Sequence, residues 1–282
     1  MSGFDRAAEK EQRDPPLVID AAVERLVLGA KREARNVRGQ FYSDGLHWQA
    51  VSVDATLFGG SKASLRLGQA AGDRTFRLTA DDFGALLRLF DISEHVAGGQ
   101  LEVTGQVEDI GPRRVFRGKV SGADYRIVGA PVFARLLSVA SLSGIAALLS
   151  GEGIPFTRLK ADFSLSDGKL DVKELRAYGG AIGVNADGSY DLASETLDIS
   201  GTLVPAYTIN TVLGNIPVLG KILMGGEGQG IFAANFRVAG RASDAKITVN
   251  PLSALAPGFL RRLFLFDAPQ PAPTASAQKP QP

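Results

Sequence analysis

The chain has 282 residues, a formal net charge of +1, no cysteine and two histidines. Without cysteine it forms neither disulfides nor thiolate metal sites, and the near-neutral charge gives no overall field that favours nucleic acid. Hydrophobic residues make up 45% of the chain, a proportion typical of globular proteins and too high for general disorder.

The N-terminal half predicts strands interrupted by two helices. Residues 1–16 are charged, lack an apolar core of signal-peptide length and are predicted to be flexible. Residues 17–153 form a first segment in which short runs alternate apolar and polar residues, which is typical of strands with one apolar face. Helical spacing appears near 81–91 and 131–149. The second stretch contains Arg135 and several serines, so it predicts an amphipathic or buried helix and no membrane span.

A second segment, residues 154–266, begins with four strands. Asp167-Gly168 and Asp187-Gly188 have the composition of two-residue hairpin loops. Further helices are predicted near 208–223 and 252–266, with strands between them. Residues 267–282 are rich in Pro and Ala and predict a disordered tail.

Together these patterns predict a mainly β fold: a long, curled antiparallel sheet that forms an open groove, with a few amphipathic helices capping or lining it. The apolar positions of the four-strand block are the candidate floor of the groove: Phe163, Leu165, Leu170, Val172, Ile182, Val184, Tyr190, Leu192, Leu197, Ile199 and Leu203. An alternative remains open, in which the same side chains form a closed core under the helices.

Catalytic motifs are absent or lie in the wrong structural context. The glycine-rich run 225–230 lacks the spacing of a dinucleotide loop and precedes a predicted strand. Two S-x-x-K matches, at 166–169 and 243–246, fall on turns, where the lysine is not placed beside the serine by a helix. The sequence therefore predicts no enzyme, no cofactor and no metal site.

The last predicted helix has an apolar side and two adjacent arginines, which is typical of a helix lying in a membrane interface. The candidate interface residues are Phe259, Leu260, Arg261, Arg262, Leu263 and Phe264. Alternatively, this helix caps the end of the sheet and exposes its arginines to water.

Several segments carry a family resemblance. They include IPFTRL at 154–159, AYGG at 177–180, GTLVPAY at 201–207, LGNIPVLG at 213–220 and VNPLS at 249–253. With Asp44, Gly45, His47 and Trp48 upstream, they resemble the C-terminal region of AsmA-like proteins, and the YhdP-like envelope proteins are the nearest branch. The resemblance covers about residues 40–266.

The resemblance implies a segment of a bridge-like lipid-transfer protein, whose groove shelters phospholipid acyl chains between the inner and outer membranes of a Gram-negative envelope. It further implies a membrane-associated periplasmic protein that contacts envelope membranes and other envelope proteins but no nucleic acid. Full-length relatives carry an inner-membrane anchor that this sequence lacks, so we expect a C-terminal piece. The alternative function is a structural or assembly factor at the outer membrane without lipid cargo.

Overall fold

The computed structural model describes residues 14–30, 32–70, 72–110, 113–205 and 233–250. Within these ranges thirteen β-strands form one antiparallel sheet, in which each strand pairs with the next strand of the chain and the first does not pair with the last. The prediction of a mainly β fold with an open antiparallel sheet and few helices is confirmed.

The strands are β1 Leu17–Gly29, β2 Arg32–Ser43, β3 Trp48–Thr56, β4 Lys62–Ala70, β5 Asp73–Ala80, β6 Val96–Ile110, β7 Arg113–Ile127, β8 Ile154–Ser166, β9 Lys169–Tyr178, β10 Ile182–Asp191, β11 Thr196–Pro205, β12 Ala234–Arg241 and β13 Lys246–Asn250. The helices are α1 Phe83–Leu89, α2 Pro131–Val139 and α3 Ser143–Leu148. Because β7 and β8 pair from Val115↔Ser166 to Ile127↔Ile154, the two predicted segments share one sheet.

The two ends of the strands differ in their connections. Every even strand is joined to the following odd strand by a turn of two to four residues, and we call this edge the hairpin rim. The opposite edge, the helical rim, carries α1 between β5 and β6, and α2 and α3 between β7 and β8. The described helices therefore enter the sheet from one edge only.

The sheet curls around these helices. On one side α1 contacts β2 as well as β6 and β7, and on the other side α2 contacts β13. In a flat sheet β2 and β6 would lie about 19 Å apart, and β7 and β13 about 29 Å apart, whereas α1 and α2 are only about 10 Å and 14 Å long. These short helices reach β2 and β13 because the sheet wraps around them.

The predicted helix over 131–149 is two helices. Ser141 has a φ of 61°, and the Leu142 N–H donates to the Leu137 carbonyl at 2.8 Å, which is the hydrogen bond that ends a helix in a Schellman motif. Serine occupies a left-handed position that glycine usually takes, so the apolar spacing did not reveal the break.

Asp167-Gly168 forms the β8–β9 turn, but the prediction of a hairpin turn at Asp187-Gly188 is wrong. Both residues lie inside β10, where Gly188 pairs with Val172 and Ile199 and a shift in register occurs at Asp187. The predicted elements near 208–223, 225–230, 252–266 and 267–282 lie outside the described residues.

Candidate functional site

One apolar row crosses the whole sheet. Residues directly opposite each other in an antiparallel pair share a face, so the register traces each row from strand to strand. The central row consists of Ile19, Phe41, Val51, Leu67, Phe76, Gly105, Gly118, Phe163, Val172, Gly188, Ile199, Val238 and Ile247. It contains ten apolar side chains and three glycines, with no polar residue. We call the face that carries it the inner face.

The helices cover only the part of the inner face next to the helical rim. A Cβ atom at Gly122 would lie 3.6 Å from Cε1 of Phe83 in α1, so α1 packs directly on this face. The covered half consists of buried inner-face residues: Ala80, Leu101, Ile154, Phe156, Ala177, Ile182, Leu203 and Ala234. This half is a closed hydrophobic core.

Toward the hairpin rim the same face is less covered. The open half consists of half-buried inner-face side chains between β5 and β11: Phe76, Val103, Phe116, Phe163, Leu165, Leu170, Val172, Tyr190, Leu197 and Ile199. It ends at β12, where Phe236 and Val238 are buried. The open half is an apolar surface without a helix among the described elements packed over it.

Aromatic rings and glycines shape the floor of the open half. The ring centroid of Phe76 lies 6.1 Å from that of Phe116 and 6.4 Å from that of Phe163. The Phe76 ring lies over Gly105, where a Cβ atom would come within 2.6 Å of Cζ of Phe76. Glycine is required there because any side chain would displace the ring. The result is a hydrocarbon surface that spans several strands.

The predicted floor residues fall into three groups. Phe163, Leu165, Leu170, Val172, Val184, Tyr190, Leu197 and Ile199 are half-buried on the inner face. Ile182 and Leu203 are on the same face but have 0% exposure, so they belong to the covered half. Leu192 lies in the β10–β11 turn and is 51% exposed. The interface candidates at 259–264 lie outside the described residues.

Sequence reasoning missed the N-terminal part of the floor. Phe76, Val103 and Phe116 line the open half beside Phe163, but the floor prediction was confined to residues 163–203. The same signal was present: β5 and β7 also alternate apolar and polar residues. Extending the period-two analysis to those strands would have found them.

The outer face is polar. Ion pairs join neighbouring strands, with Arg66 2.7 Å from Asp54 and Arg237 2.7 Å from Asp198. Hydrogen bonds from Arg237 lower the pKa of the Asp198 carboxyl. A depression of about 460 Å³ on this face is lined by polar and charged side chains, including Arg77 and Arg158. Its chemistry does not suit an acyl chain.

A charged cluster lies where the floor meets the hairpin rim. The Asp109 carboxylate accepts hydrogen bonds from Arg74 and Arg114 and lies 3.3 Å from Nε2 of His47. The Arg74 side chain is only 12% exposed, and it pairs with the buried Val107 on the inner face. Its hydrocarbon stem thus extends the apolar floor while its charged end is held at the rim.

Tyr125 is the main titratable group within the covered half. Its ring stacks on Phe156 at 5.3 Å and meets Phe83 edge-on at 5.7 Å. Burial raises the pKa of the Tyr125 phenol well above its usual value, since the ionised form loses its hydration. Among the described residues, its hydroxyl has no hydrogen-bond partner.

No group of three or more potential metal ligands occurs in the described ranges. The helices described there are also too short or too polar to cross a membrane. In comparisons with known proteins, no family model, no curated protein and no solved structure matches the chain. The resemblance to AsmA-like proteins therefore stays a prediction.

Proposed function

We propose that this chain is a non-enzymatic lipid-binding segment whose open half shelters phospholipid acyl chains during transfer between the two membranes of a Gram-negative envelope. The observation that carries the proposal is the central row, which crosses thirteen strands without a polar side chain. The envelope setting rests on the family resemblance, and the absence of cysteine is compatible with an oxidising periplasm.

The energetics of such a surface suit an acyl chain. Each methylene removed from water contributes about 0.8 kcal/mol, so about ten sheltered methylenes contribute on the order of 8 kcal/mol. The floor around Phe76, Phe163 and Val172 offers no directional hydrogen bond that would hold a lipid at one point. A bound chain can therefore move along the row without losing a specific contact at each step.

Lipid extraction tests the proposal. We expect organic extracts of the purified protein to contain phospholipid in near-stoichiometric amount by mass spectrometry. Ile199→Asp places a charge on the floor and should remove most of this lipid. Ser200→Asp is the matched control, because Ser200 is exposed on the opposite face of the same strand. Circular dichroism confirms that both variants fold.

Two outcomes contradict acyl-chain binding. One is a wild-type protein that contains no lipid after gentle purification from membranes. The other is a folded Ile199→Asp variant that retains as much lipid as Ser200→Asp. Either result assigns the inner face to packing alone.

A second candidate function is an assembly module without lipid cargo. It is favoured by β1, whose outer edge pairs with no described strand over thirteen residues and which exposes aliphatic side chains such as Val18 and Val27. An unpaired strand edge is a template for a strand of another protein. A lipid-free protein that forms a stable complex through β1 would support this alternative.

A further inference from the structure

Exposed apolar side chains occur at both rims, and three of the most exposed lie at the helical rim. Phe58, in the β3–β4 connection, is 77% exposed. Phe90 and Ile92, which follow α1, are 56% and 68% exposed. At the hairpin rim, comparable exposure occurs at Val18 near the start of β1, at Ile110 at the end of β6 and at Leu192 in the β10–β11 turn, which are far apart along the sheet.

Polar contacts draw the exposed residues of the helical rim together around the start of β2. Arg32 forms an ion pair of 2.9 Å with Asp91, which lies between Phe90 and Ile92 in the chain. The same guanidinium donates to the Leu28 carbonyl at 3.4 Å. Phe58 lines a depression together with Glu33 and Arg35. Through these contacts Leu28, Phe58, Phe90 and Ile92 all flank the start of β2, and we call these four residues the tip cluster.

Charges surround the tip cluster in a pattern that suits an anionic surface. Ion pairs beside it join Arg25, Arg32 and Arg35 to Glu33 and Asp91, so three guanidinium groups meet two carboxylates. The Arg25 and Arg35 side chains are mostly exposed despite their ion pairs with Glu33. Apolar tips flanked by arginines are typical of surfaces that rest in a membrane interface.

The form of the patch favours a fluid partner. Phe58 begins a 3₁₀ turn that also contains Gly59 and Gly60, both with positive φ and with open space where a Cβ atom would lie. A stable protein interface buries about 800 Å² on each side with a continuous packed centre. The tip cluster instead consists of four side chains from three separate places: the end of β1, the β3–β4 connection and the α1–β6 connection. A lipid headgroup layer accommodates separate apolar tips without a preformed complementary shape.

We infer that the tip cluster inserts into the headgroup region of an anionic lipid bilayer, so that the part of the helical rim between β1 and β6 contacts the membrane. The open half of the inner face takes no part in this contact. The inference therefore does not depend on acyl-chain binding.

Vesicle flotation tests the inference. We expect the protein to float with vesicles of phosphatidylcholine and phosphatidylglycerol, and the combined variant Phe58→Ser, Phe90→Ser, Ile92→Ser to bind at least tenfold more weakly. The control, Ile110→Ser with Leu192→Ser, removes two apolar residues at the other rim that are 53% and 51% exposed, and it should bind within about twofold of wild type. Loss of binding in both variants, or in neither, overturns the inference, as does a wild-type protein that does not float.

Fluorescence gives a second, site-specific readout that tolerates some loss of stability. The chain contains one tryptophan, Trp48, so Trp48→Phe provides a silent background. In that background, brominated lipid should quench the tryptophan fluorescence of Phe58→Trp and leave the fluorescence of Ile110→Trp unchanged. Equal quenching at both positions overturns the inference, and so does capture of a protein partner by the tip cluster with no quenching by lipid.

Failure of this inference can be told apart from failure of the proposed function. Ile199→Asp should still float with vesicles while it loses extractable lipid. The serine variant of the tip cluster should keep its extractable lipid while it loses flotation. A single variant that loses both properties while folded would show that one surface serves both.

Discussion

The covered and open halves of the inner face have the same sequence pattern and different surroundings. Ile182 and Leu203 in the covered half are fully buried under the helical rim. Ile199 lies on β11 with Leu203 and points to the same face, yet it is half-buried. Alternation along a strand determines which face a side chain occupies. Coverage of that face depends on helices that come from a different part of the chain.

The largest expected effect is a difference in stability between substitutions in the covered half and in the open half. Ile182→Ala leaves a cavity in a packed core and should lower the free energy of unfolding by about 3 kcal/mol. Ile199→Ala removes the same atoms from a half-covered surface and should cost about 1 kcal/mol. Urea unfolding of both variants measures the difference. Equal losses would show that the open half is packed as closely as the covered half.

The next largest loss of stability is expected when a glycine of the central row is replaced. A Cβ atom at Gly105 would lie 2.2 Å from the Arg117 carbonyl oxygen and 2.6 Å from the Phe76 ring. Gly105→Ala should therefore destabilise the protein by about 1–3 kcal/mol through backbone displacement. Gly68→Ala is the matched control, since nothing lies within 4 Å of its added atom, and it should be neutral in the same urea titration. A neutral Gly105→Ala would contradict the close contact between ring and strand.

Removal of the N-cap of α1 tests how strongly this helix is held over the covered half. The Asp82 carboxylate accepts a hydrogen bond of 2.8 Å from the Ala85 N–H, and Asp82→Ala should cost about 1 kcal/mol. If α1 loosens, hydrogen exchange should accelerate at Leu86 and Leu89. The neighbouring Asp81→Ala is the control, because Asp81 is exposed and does not cap the helix. Similar effects of the two substitutions would contradict the capping role of Asp82.

Particular residues show what the sequence could and could not predict. The faces of β8 to β11 followed from alternation, since Phe163, Val172 and Ile199 share one row as expected. Alternation failed near the helical rim of β7, where Gly122 and Tyr125 both face α1 although they are three residues apart.

The reason is a local change of backbone conformation. Asp124 has a φ of 52°, and Gly98 and Gly99 on β6 also have positive φ. These left-handed residues rotate the strands so that the apolar set changes from one parity to the other. Aspartate adopts this conformation more readily than most residues, but the sequence does not indicate which of the aspartates in the chain will do so. Coverage of Ile182 was likewise unpredictable, because it depends on long-range packing.

The smallest expected effect concerns the phenol groups of the two halves. Removing a buried hydroxyl that lacks a partner avoids its desolvation cost, so Tyr125→Phe should raise the free energy of unfolding by about 1 kcal/mol. Tyr190→Phe, in the open half, should change it little, because water reaches that side chain. A destabilised Tyr125→Phe would mean that the hydroxyl is satisfied by a bound water or ligand.

The pH dependence of stability provides an independent check on the same residue. Burial raises the pKa of Tyr125 in the folded state, so above about pH 10 the unfolded chain loses this proton while the folded protein keeps it. The free energy of unfolding of wild type should therefore fall as the pH rises above about 10. Tyr125→Phe removes this contribution, so its stability should fall less steeply over the same range. Parallel curves for wild type and Tyr125→Phe would show that water reaches the phenol, and the core over Phe156 would then be open as well.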